Sequence, residues 1–479
     1  MSLKEKTLTG ILWAFLQQFG AQLINFIVSV VLARWLMPAE FGIIGMISVF
    51  IAIGNSLVDS GLTSSLIRSK NNDQKDFSTV FFMNIFASII IYLILFFCSP
   101  FIAKFFDQPI LIPVVRVYCL VFIIKAFSAV QNARYTLNMD FKSLMIVTIP
   151  SLLIGGIVGL SFAYFGYGVW SLVYMNLVQA MLVSIQLWVK GKWMPTLVFD
   201  IDRLKYHFNF GYKLTLSGIL NTIYDNIYHL IIGKFFSAAQ LGYYTRAQSM
   251  KQLPVTNISS ALNKVTYSMF SKIQDDDIRL KSAYKGLMQQ VLFWITPTLI
   301  IAGILAEPLF RFLLTEKWLP AVPYFQILCI VGIMYPLHSY NLNILKVKGR
   351  SDLFLRLEVI KKVLISIGLF IAIPLGIYGL LWMQVILNIL AFGINTYYSG
   401  RLINYPLYEQ LIDILPIIGV SILAGIFLFV IDLQMPNLNE WDFVRLTVGC
   451  SVGMLFYLLF SYFIKLKALM DFKKLILKK

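Results

Sequence analysis

The chain has 479 residues, 59% of them hydrophobic and 13% charged, with a mean hydropathy of +0.78. That is about half the charged share of a soluble domain, which excludes an ordinary soluble enzyme or binding module. The net charge of +17 would suit nucleic acid only if it formed one basic face, and the cations instead fall in short loops between apolar runs. A helix of about 20 apolar residues spans the hydrocarbon core of a bilayer. Such runs recur along the whole chain, so the reading is an all-α polytopic membrane protein.

Fourteen spans are predicted, over 8–33, 41–66, 77–99, 112–132, 143–164, 169–189, 208–233, 242–267, 286–306, 321–345, 357–375, 378–399, 411–431 and 443–464. The opening MSLKEK is short and basic, and no small-residue cleavage site follows the first run. That run is read as a retained span, not a leader. Span 8 is the most polar, too polar to face lipid, and Pro254 is expected to interrupt it. Lysine and arginine crowd alternate loops. The other set of loops holds only Arg34, Lys104, Lys234, Arg311 and Lys317. The positive-inside rule then places both termini in the cytoplasm. The basic C-terminal tail is read as a solvated, topology-setting segment that can also meet anionic lipid.

An internal repeat runs through the chain. VVLARWLMPAEFGII (30–44) aligns without gaps to LIIGKFFSAAQLGYY (230–244), placing Arg34 on Lys234 and Gly42 on Gly242. Ser69, Lys70 and Asp73 then match Ser271, Lys272 and Asp275, and Arg134, Asp140 and Phe141 match Lys346, Asp352 and Leu353. Ordered matches of this kind point to a duplication. The domains expected are 1–206 (spans 1–6), 207–405 (spans 7–12) and 406–479 (spans 13–14 and the tail). Two similar six-helix lobes around a central cavity, plus two C-terminal helices, form a transporter architecture that works by alternating access.

Polar side chains within spans are costly and mark candidate sites. Gln18, Gln22, Asn25 and Ser29 share one stripe of span 1, which lines a cavity or bonds a neighbouring helix. In span 7, Asn221, Thr222, Asp225, Tyr228 and His229 are expected on one face at 100° per residue. Asp225, near mid-membrane, is the candidate for ion coupling, with a fixed interhelical ion pair as the alternative. Arg246 and Lys251 in span 8 and Lys125 in span 4 are deep cations suited to an anionic substrate. Gln18, Gln22, Asn25, Asn221 and Tyr228 would supply polar cavity lining. Arg34 and Lys234 occupy equivalent span ends and are candidate gate residues, or else interface anchors. Lys264 is expected to snorkel to the surface, as are Lys361 and Lys362 near a span end. Asp59 is read as a helix cap or a partner for a loop cation. Cys98, Cys119, Cys329 and Cys450 lie singly, and His207, His229 and His338 are too scattered for a metal site.

No catalytic constellation emerges. There is no GxSxG, Walker loop or HExxH, and Asp275-Asp276-Asp277 reads as a solvated acidic run. The chain is not expected to be an enzyme.

The segments LARWLMPAEFGIIGM, VDSGLTSSLIRSK, DFSTVFFMN, FGYGVWSLV, LIIGKFFSAAQLGYYTRAQSMKQLP and ILKVKGRSDL resemble the Wzx-type polysaccharide flippases, in order from about residue 8 to 400. They are most similar to the branch of colanic and teichuronic acid exporters. The resemblance implies membership of the multidrug/oligosaccharidyl-lipid/polysaccharide exporter superfamily, with two six-helix lobes in a V. It implies a flippase that moves undecaprenyl-diphosphate-linked oligosaccharide from the cytoplasmic to the periplasmic leaflet of the bacterial inner membrane. Arg246 best matches the family's span 8 cation. The partners implied are the lipid-linked oligosaccharide, membrane lipid, and polysaccharide polymerase and export machinery. No nucleic acid is expected, the chain is expected to act as a monomer, and the only cofactor foreseen is a coupling proton or sodium ion. The alternative is a cation-coupled multidrug antiporter of the same superfamily, which would favour an acidic, aromatic cavity. Lys125, Arg246 and Lys251 against Asp225 favour the flippase.

Overall fold

The structure is a computed structural model. It describes residues 3–59, 61–69, 72–435 and 439–477, with the side chains of 3–8, 11, 59, 210, 213, 214, 217, 260–268, 439 and 475–477 outside that description. Asp59 and Lys264 therefore lie outside the described side chains. Every regular element among the described residues is helical. Two compact units arise, Met1–Gly242 and Tyr243–Lys479. The repeat divides the sequence near residue 206, whereas packing groups the next two helices with the first unit.

That first unit contains α1 (Leu3–Trp35), α2 (Pro38–Asp59), α3 (Leu62–Arg68), α4 (Gln74–Phe106), α5 (Leu111–Tyr118), α6 (Leu120–Leu137), α7 (Phe141–Tyr164), α8 (Val169–Lys190), α9 (Ile201–Asp225) and α10 (Ile227–Phe235). Small residues let helices approach closely where no hydrophobic drive separates protein from lipid. On α7, Gly156 takes Val28 of α1, while Gly155 and Gly159 take Gln179 and Met175 of α8. The predicted second span is broken at Gly61, whose φ of 64° is left-handed. A Cβ there would lie 2.6 Å from the Gly211 Cα of α9, so the crossing needs glycine at position 61.

The stretch between α8 and α9 is bonded to α4 and α6. Gln74 Nε2 donates to the Met194 carbonyl (2.7 Å), Gln131 Nε2 to the Trp193 carbonyl (2.8 Å), and the Asp200 amide to Thr79 Oγ1 (3.1 Å). Fully buried His207 on α9 places Nδ1 2.8 Å from Ser65 Oγ and Nε2 3.2 Å from Asp76 Oδ1. Arg203 adds ion pairs to Asp73 and Asp76. α9 is thereby fastened to the start of α4, and α2, α3 and α4 pack along it.

α11 (Ala238–Lys272) leads into the second unit, followed by α12 (Asp277–Ile304), α13 (Ala306–Leu314), α14 (Val322–Val347), α15 (Ser351–Ala372), α16 (Gly376–Leu402), α17 (Leu407–Gln434), α18 (Asp442–Phe463) and α19 (Lys467–Leu477). Contrary to expectation, α11 runs unbroken through Pro254. α17 and α18 belong to this unit: Gly425 packs on Ile300, and Gly449 and Gly453 on Leu305 and Ile301. An ion-pair network also ties them in. Arg445 grips both Asp432 oxygens (2.9 and 2.8 Å), and Arg311 of α13 reaches Asp442 at 2.9 Å. The tail, read as solvated, is the helix α19. Its Phe472 meets Trp294 of α12 edge-on, and Gln290 donates to the Ala468 carbonyl.

The repeat has a local structural counterpart. α2 and α11 begin at Pro38 and Ala238, the equivalent residues. Each start is closed by an equivalent side chain: the Met37 amide donates to Glu40 Oε2 (2.6 Å), and the Ser237 amide to Gln240 Oε1 (3.1 Å).

Eleven segments are long and apolar enough to cross a membrane, one of which, 351–402, contains both α15 and α16. The chain is thus a multi-pass membrane protein by length and composition. The segments fall short of the fourteen predicted because 351–402 merges two spans, while α9 and α11 carry too many polar side chains to qualify and α10 is short.

Candidate functional site

Helix α1 has three faces. Gln17 Nε2 donates to Thr148 Oγ1 of α7 (3.1 Å), Gly20 packs on Ile149, and Val28 on Gly156. Leu12, Phe15, Phe19, Leu23 and Ile27 form an exposed apolar face. Gln18, Gln22, Asn25 and Ser29 lie between, roughly 120° from the α7 face at about 100° per residue. Gln18 and Asn25 are exposed and Gln22 is half-buried. One helix therefore presents an amide stripe beside a lipid-like one.

Lys125 of α6 lines a cavity of about 150 Å³ inside the first unit. Ile51 of α2, Tyr118 of α5, and Asn176, Gln179 and Ala180 of α8 share it, with Ser128 one turn along α6. The Lys125 Nζ lies 3.4 Å from Asn55 Oδ1 of α2, and among the described residues it has no carboxylate partner. An ammonium group ringed by amides and a hydroxyl offers donors and acceptors to an anion or a sugar. Lys125 came from charge alone. Asn176 and Gln179 were missed, although two amides in the apolar eighth helix were a visible signal.

The predicted single face of span 7 does not form. The helix ends at Asp225 and restarts at Ile227, with Asn226 Nδ2 donating to the Thr222 carbonyl (2.9 Å). Asn221 and Asp225 are exposed on α9, whereas Tyr228 is buried on α10. Periodicity extrapolated across Asn226 joined residues that the break separates. At the end of α10, Lys234 pairs with Asp107 (3.2 Å) and lies over the Phe105 ring at 5.2 Å. Arg34, its repeat equivalent, is exposed at the end of α1.

In the second unit Arg246 and Lys251 of α11 are both buried, 7% and 5% exposed. The Arg246 guanidinium lies 5.6 Å from the fully buried Trp318 ring. A cation over an indole face is favourable, more so when desolvated. The Lys251 stem runs against Gly332 of α14, where a Cβ would come within 2.9 Å of its Cδ. Five residues apart, the two cations point about 140° from each other.

A polar cluster that the sequence reading missed lies deeper in this unit. His338 of α14 bonds Asn388 and Asn395 of α16, and Ser399 bonds Asn341. Lys361 pairs with Glu358 one turn earlier on α15. Lys361 does not sit near a helix end, because α15 begins at Ser351 and places it about 15 Å along the axis. Among the described residues no three metal-binding side chains gather.

Residues 31–323 match the model of a family described as polysaccharide biosynthesis protein. Over 492 aligned residues the chain is 26% identical to the teichuronic acid biosynthesis protein TuaB of Bacillus subtilis, covering 100% of this chain and 99% of that protein. It is 25% identical to the lipopolysaccharide biosynthesis protein WzxC of Escherichia coli K12, covering 82% of this chain and 81% of the relative. Among solved structures it resembles the lipid II flippase MurJ in an inward closed conformation. That match has a TM-score of 0.75 at 14% identity, covering 95% of this chain and 99% of that one. This last likeness is one of fold.

Proposed function

Since the chain belongs to the polysaccharide biosynthesis protein family, we propose that it is a flippase for undecaprenyl-diphosphate-linked oligosaccharide repeat units. It would move them from the cytoplasmic to the periplasmic leaflet of the bacterial inner membrane by alternating access, supplying cell-surface polysaccharide. The observation that carries this reading is the Lys125 cavity, a cation among Asn55, Asn176, Gln179 and Ser128 in an otherwise apolar bundle. A cavity of that size accommodates one phosphate or one sugar ring, a subsite for part of a repeat unit.

In this reading Arg246 and Lys251 are further substrate cations, because buried ammonium and guanidinium groups suit the phosphate or acid groups of an anionic substrate. Gln18, Gln22, Asn25, Asn221 and Tyr228 line the sugar path. Asp225, exposed where α9 ends, takes part in ion coupling. Arg34 and Lys234 serve as gate residues, the Lys234–Asp107 pair being one that opening would break. We count α9–α10 and α11 as crossings sheltered from lipid, for fourteen in all with both termini cytoplasmic. The multidrug antiporter alternative would call for a cavity richer in carboxylates than this one.

The test is a strain lacking the protein with its polymerisation step intact. Accumulation of lipid-linked repeat units with loss of surface polymer, reversed by the wild type and not by stably expressed Arg246→Ala, is the expected result. Unchanged lipid intermediates and normal polymer would sink the flippase reading.

A further inference from the structure

The His338 cluster has hydrogen-bonding capacity that only a second protonation state would use. Asn388 Oδ1 can only accept, so His338 Nε2, 3.1 Å away, must carry a hydrogen. Asn395 Nδ2 can only donate, so His338 Nδ1, 3.2 Å away, must be bare. With the amides in this arrangement the imidazole is neutral and carries its hydrogen on Nε2. Asn395 is fully buried, and its Oδ1 has no hydrogen-bond partner among the described residues. A buried amide oxygen left unbonded costs free energy of its own. A half-turn of this amide about χ2 would bring Oδ1 against Nδ1, where it could accept a hydrogen from a protonated ring. His338 can thus take up a proton at Nδ1 without movement of α14 or α16, the Asn395 amide turning in place to accept the added N–H.

The charges that bear on this ring come from α15. Lys361 lies close enough to act on it, and Glu358 pairs with Lys361. α16 presents only amides at this level. On α11, Lys251 meets α14 at Gly332, about 9 Å along the axis. The α12 cations Lys281 and Lys285 are taken up by Glu409 and Asp413, and Arg311 of α13 by Glu307 and Asp442. Glu358 is already taken up by Lys361, so a charged ring faces a cation and not a carboxylate. Protonation of the ring is then felt as repulsion of Lys361, and so by α15. His338 and Glu358 are both half-buried, which leaves the cluster reachable by a proton.

We propose that His338 is a proton-binding site of the second unit, poised by the Asn395 amide and set against the Lys361–Glu358 pair. Resting on the flippase reading, it makes a proton the coupling ion. The proton enters at Nδ1, the Asn395 amide turns to accept its hydrogen bond, and release restores the neutral tautomer.

The test uses the full chain in nanodiscs and in proteoliposomes. Ring-labelled histidine NMR follows His207, His229 and His338, the three histidines of the sequence, and His338→Gln identifies the third signal. The expected result is a change of protonation state at His338 as the pH is lowered from about 8 to about 4. In parallel, an imposed pH gradient accelerates flipping of a lipid-linked oligosaccharide about tenfold in the wild type. His338→Gln and Asn395→Leu lose that acceleration while still flipping at the gradient-free rate. A ring that stays neutral over the whole range overturns the proposal, as does a His338→Gln protein that answers the gradient like the wild type. If His338→Gln does not fold, His207→Gln and His229→Gln assign the signals by elimination and Asn395→Leu carries the transport arm. A wild type that flips nothing under any gradient counts against the flippase reading. The proton site is then decided by the titration alone.

Discussion

Gly42 and Gly242, equivalent residues of the sequence repeat, each face the backbone at the other's helix start. A Cβ on Gly42 would lie 1.8 Å from the Ala238 carbonyl oxygen, and one on Gly242 1.9 Å from that of Pro38. Pro38 and Ala238 are themselves equivalent, so the contact is reciprocal. That is the signature of a two-fold relationship: residue i meets j, and j's counterpart meets i's. The repeat is therefore a local pseudo-dyad at the starts of α2 and α11.

Backbone oxygens cannot swing aside as a flexible side chain can. Gly42→Ala and Gly242→Ala are expected to force the two helix starts apart and to cost about 3 kcal/mol each, as overpacking does. Gly286→Ala on α12 meets nothing within 4 Å. It should be neutral or stabilising by about 0.5–1 kcal/mol, since alanine favours the helix. Thermal unfolding in detergent separates the two classes.

The Arg445–Asp432 pair predicts an asymmetry. Arg445→Ala strands the Asp432 carboxylate, while Asp442 keeps Arg311, and should cost about 3–5 kcal/mol. Replacing Arg445 and Asp432 together by Met and Leu should recover most of that loss, because no buried charge is left uncompensated. A double variant as unstable as Arg445→Ala would refute the charge explanation.

Asp73 caps α4, accepting from the Asp76 amide at 3.0 Å, while the Asp76 carboxylate accepts from the Asp73 amide at 2.9 Å. Asp73→Ala should cost about 1 kcal/mol. The Asp76 backbone N–H holds the Asp73 carboxyl below its ordinary value, with Arg203 a smaller cause in the same direction. A depressed carboxyl contributes fully above its unfolded value of about 4 and loses that contribution as the pH falls through its lower folded value. The difference between wild type and Asp73→Ala should thus be constant near neutrality and shrink only in acid, as unfolding at pH 7 and pH 3 would show.

Lys125→Met keeps the stem and removes the charge. If the cavity holds a phosphate or acidic sugar, it should lower flipping of lipid-linked repeat units about tenfold to a hundredfold, the worth of one charge-assisted hydrogen bond. Asn176→Leu, which removes only a neutral donor and acceptor, should cost less. Flipping assays at saturating and limiting substrate would check the order, and equal loss from both would point to cavity shape rather than charge.

Much of the fold was legible from the chain. The apolar runs located the helices, and the gapless match of 30–44 to 230–244 paired two stretches whose helices begin at the equivalent Pro38 and Ala238, not at 41 and 242 as predicted. Helix ends were less legible, because hydropathy marks where lipid-like composition begins and not where the backbone coils. The run beginning at 357 hid the first turn and a half of the helix, which starts at Ser351, so Lys361 lies in the middle of the helix. The turn at Asn226 was equally hidden, for an asparagine within a helix is only a weak breaking signal. Of the candidate site, Lys125 was visible as a charge out of place. The His338 cluster was not, since its members come from α14, α15 and α16 and only packing brings them together.

The clasp between His207 and Asp76 has a consequence for biogenesis. Asp76 is 2% exposed, yet its partner follows 131 positions later in the chain. At about 5–20 residues per second of synthesis, the carboxylate emerges roughly ten seconds before the imidazole that shelters it. Through that interval the early helices are already in the ribosome's path to the bilayer with one of their tightest internal fastenings still unmade. A nascent chain that stops before residue 200 leaves this carboxylate, and with it Ser65 and Thr79, without the partners that His207 and Asp200 supply.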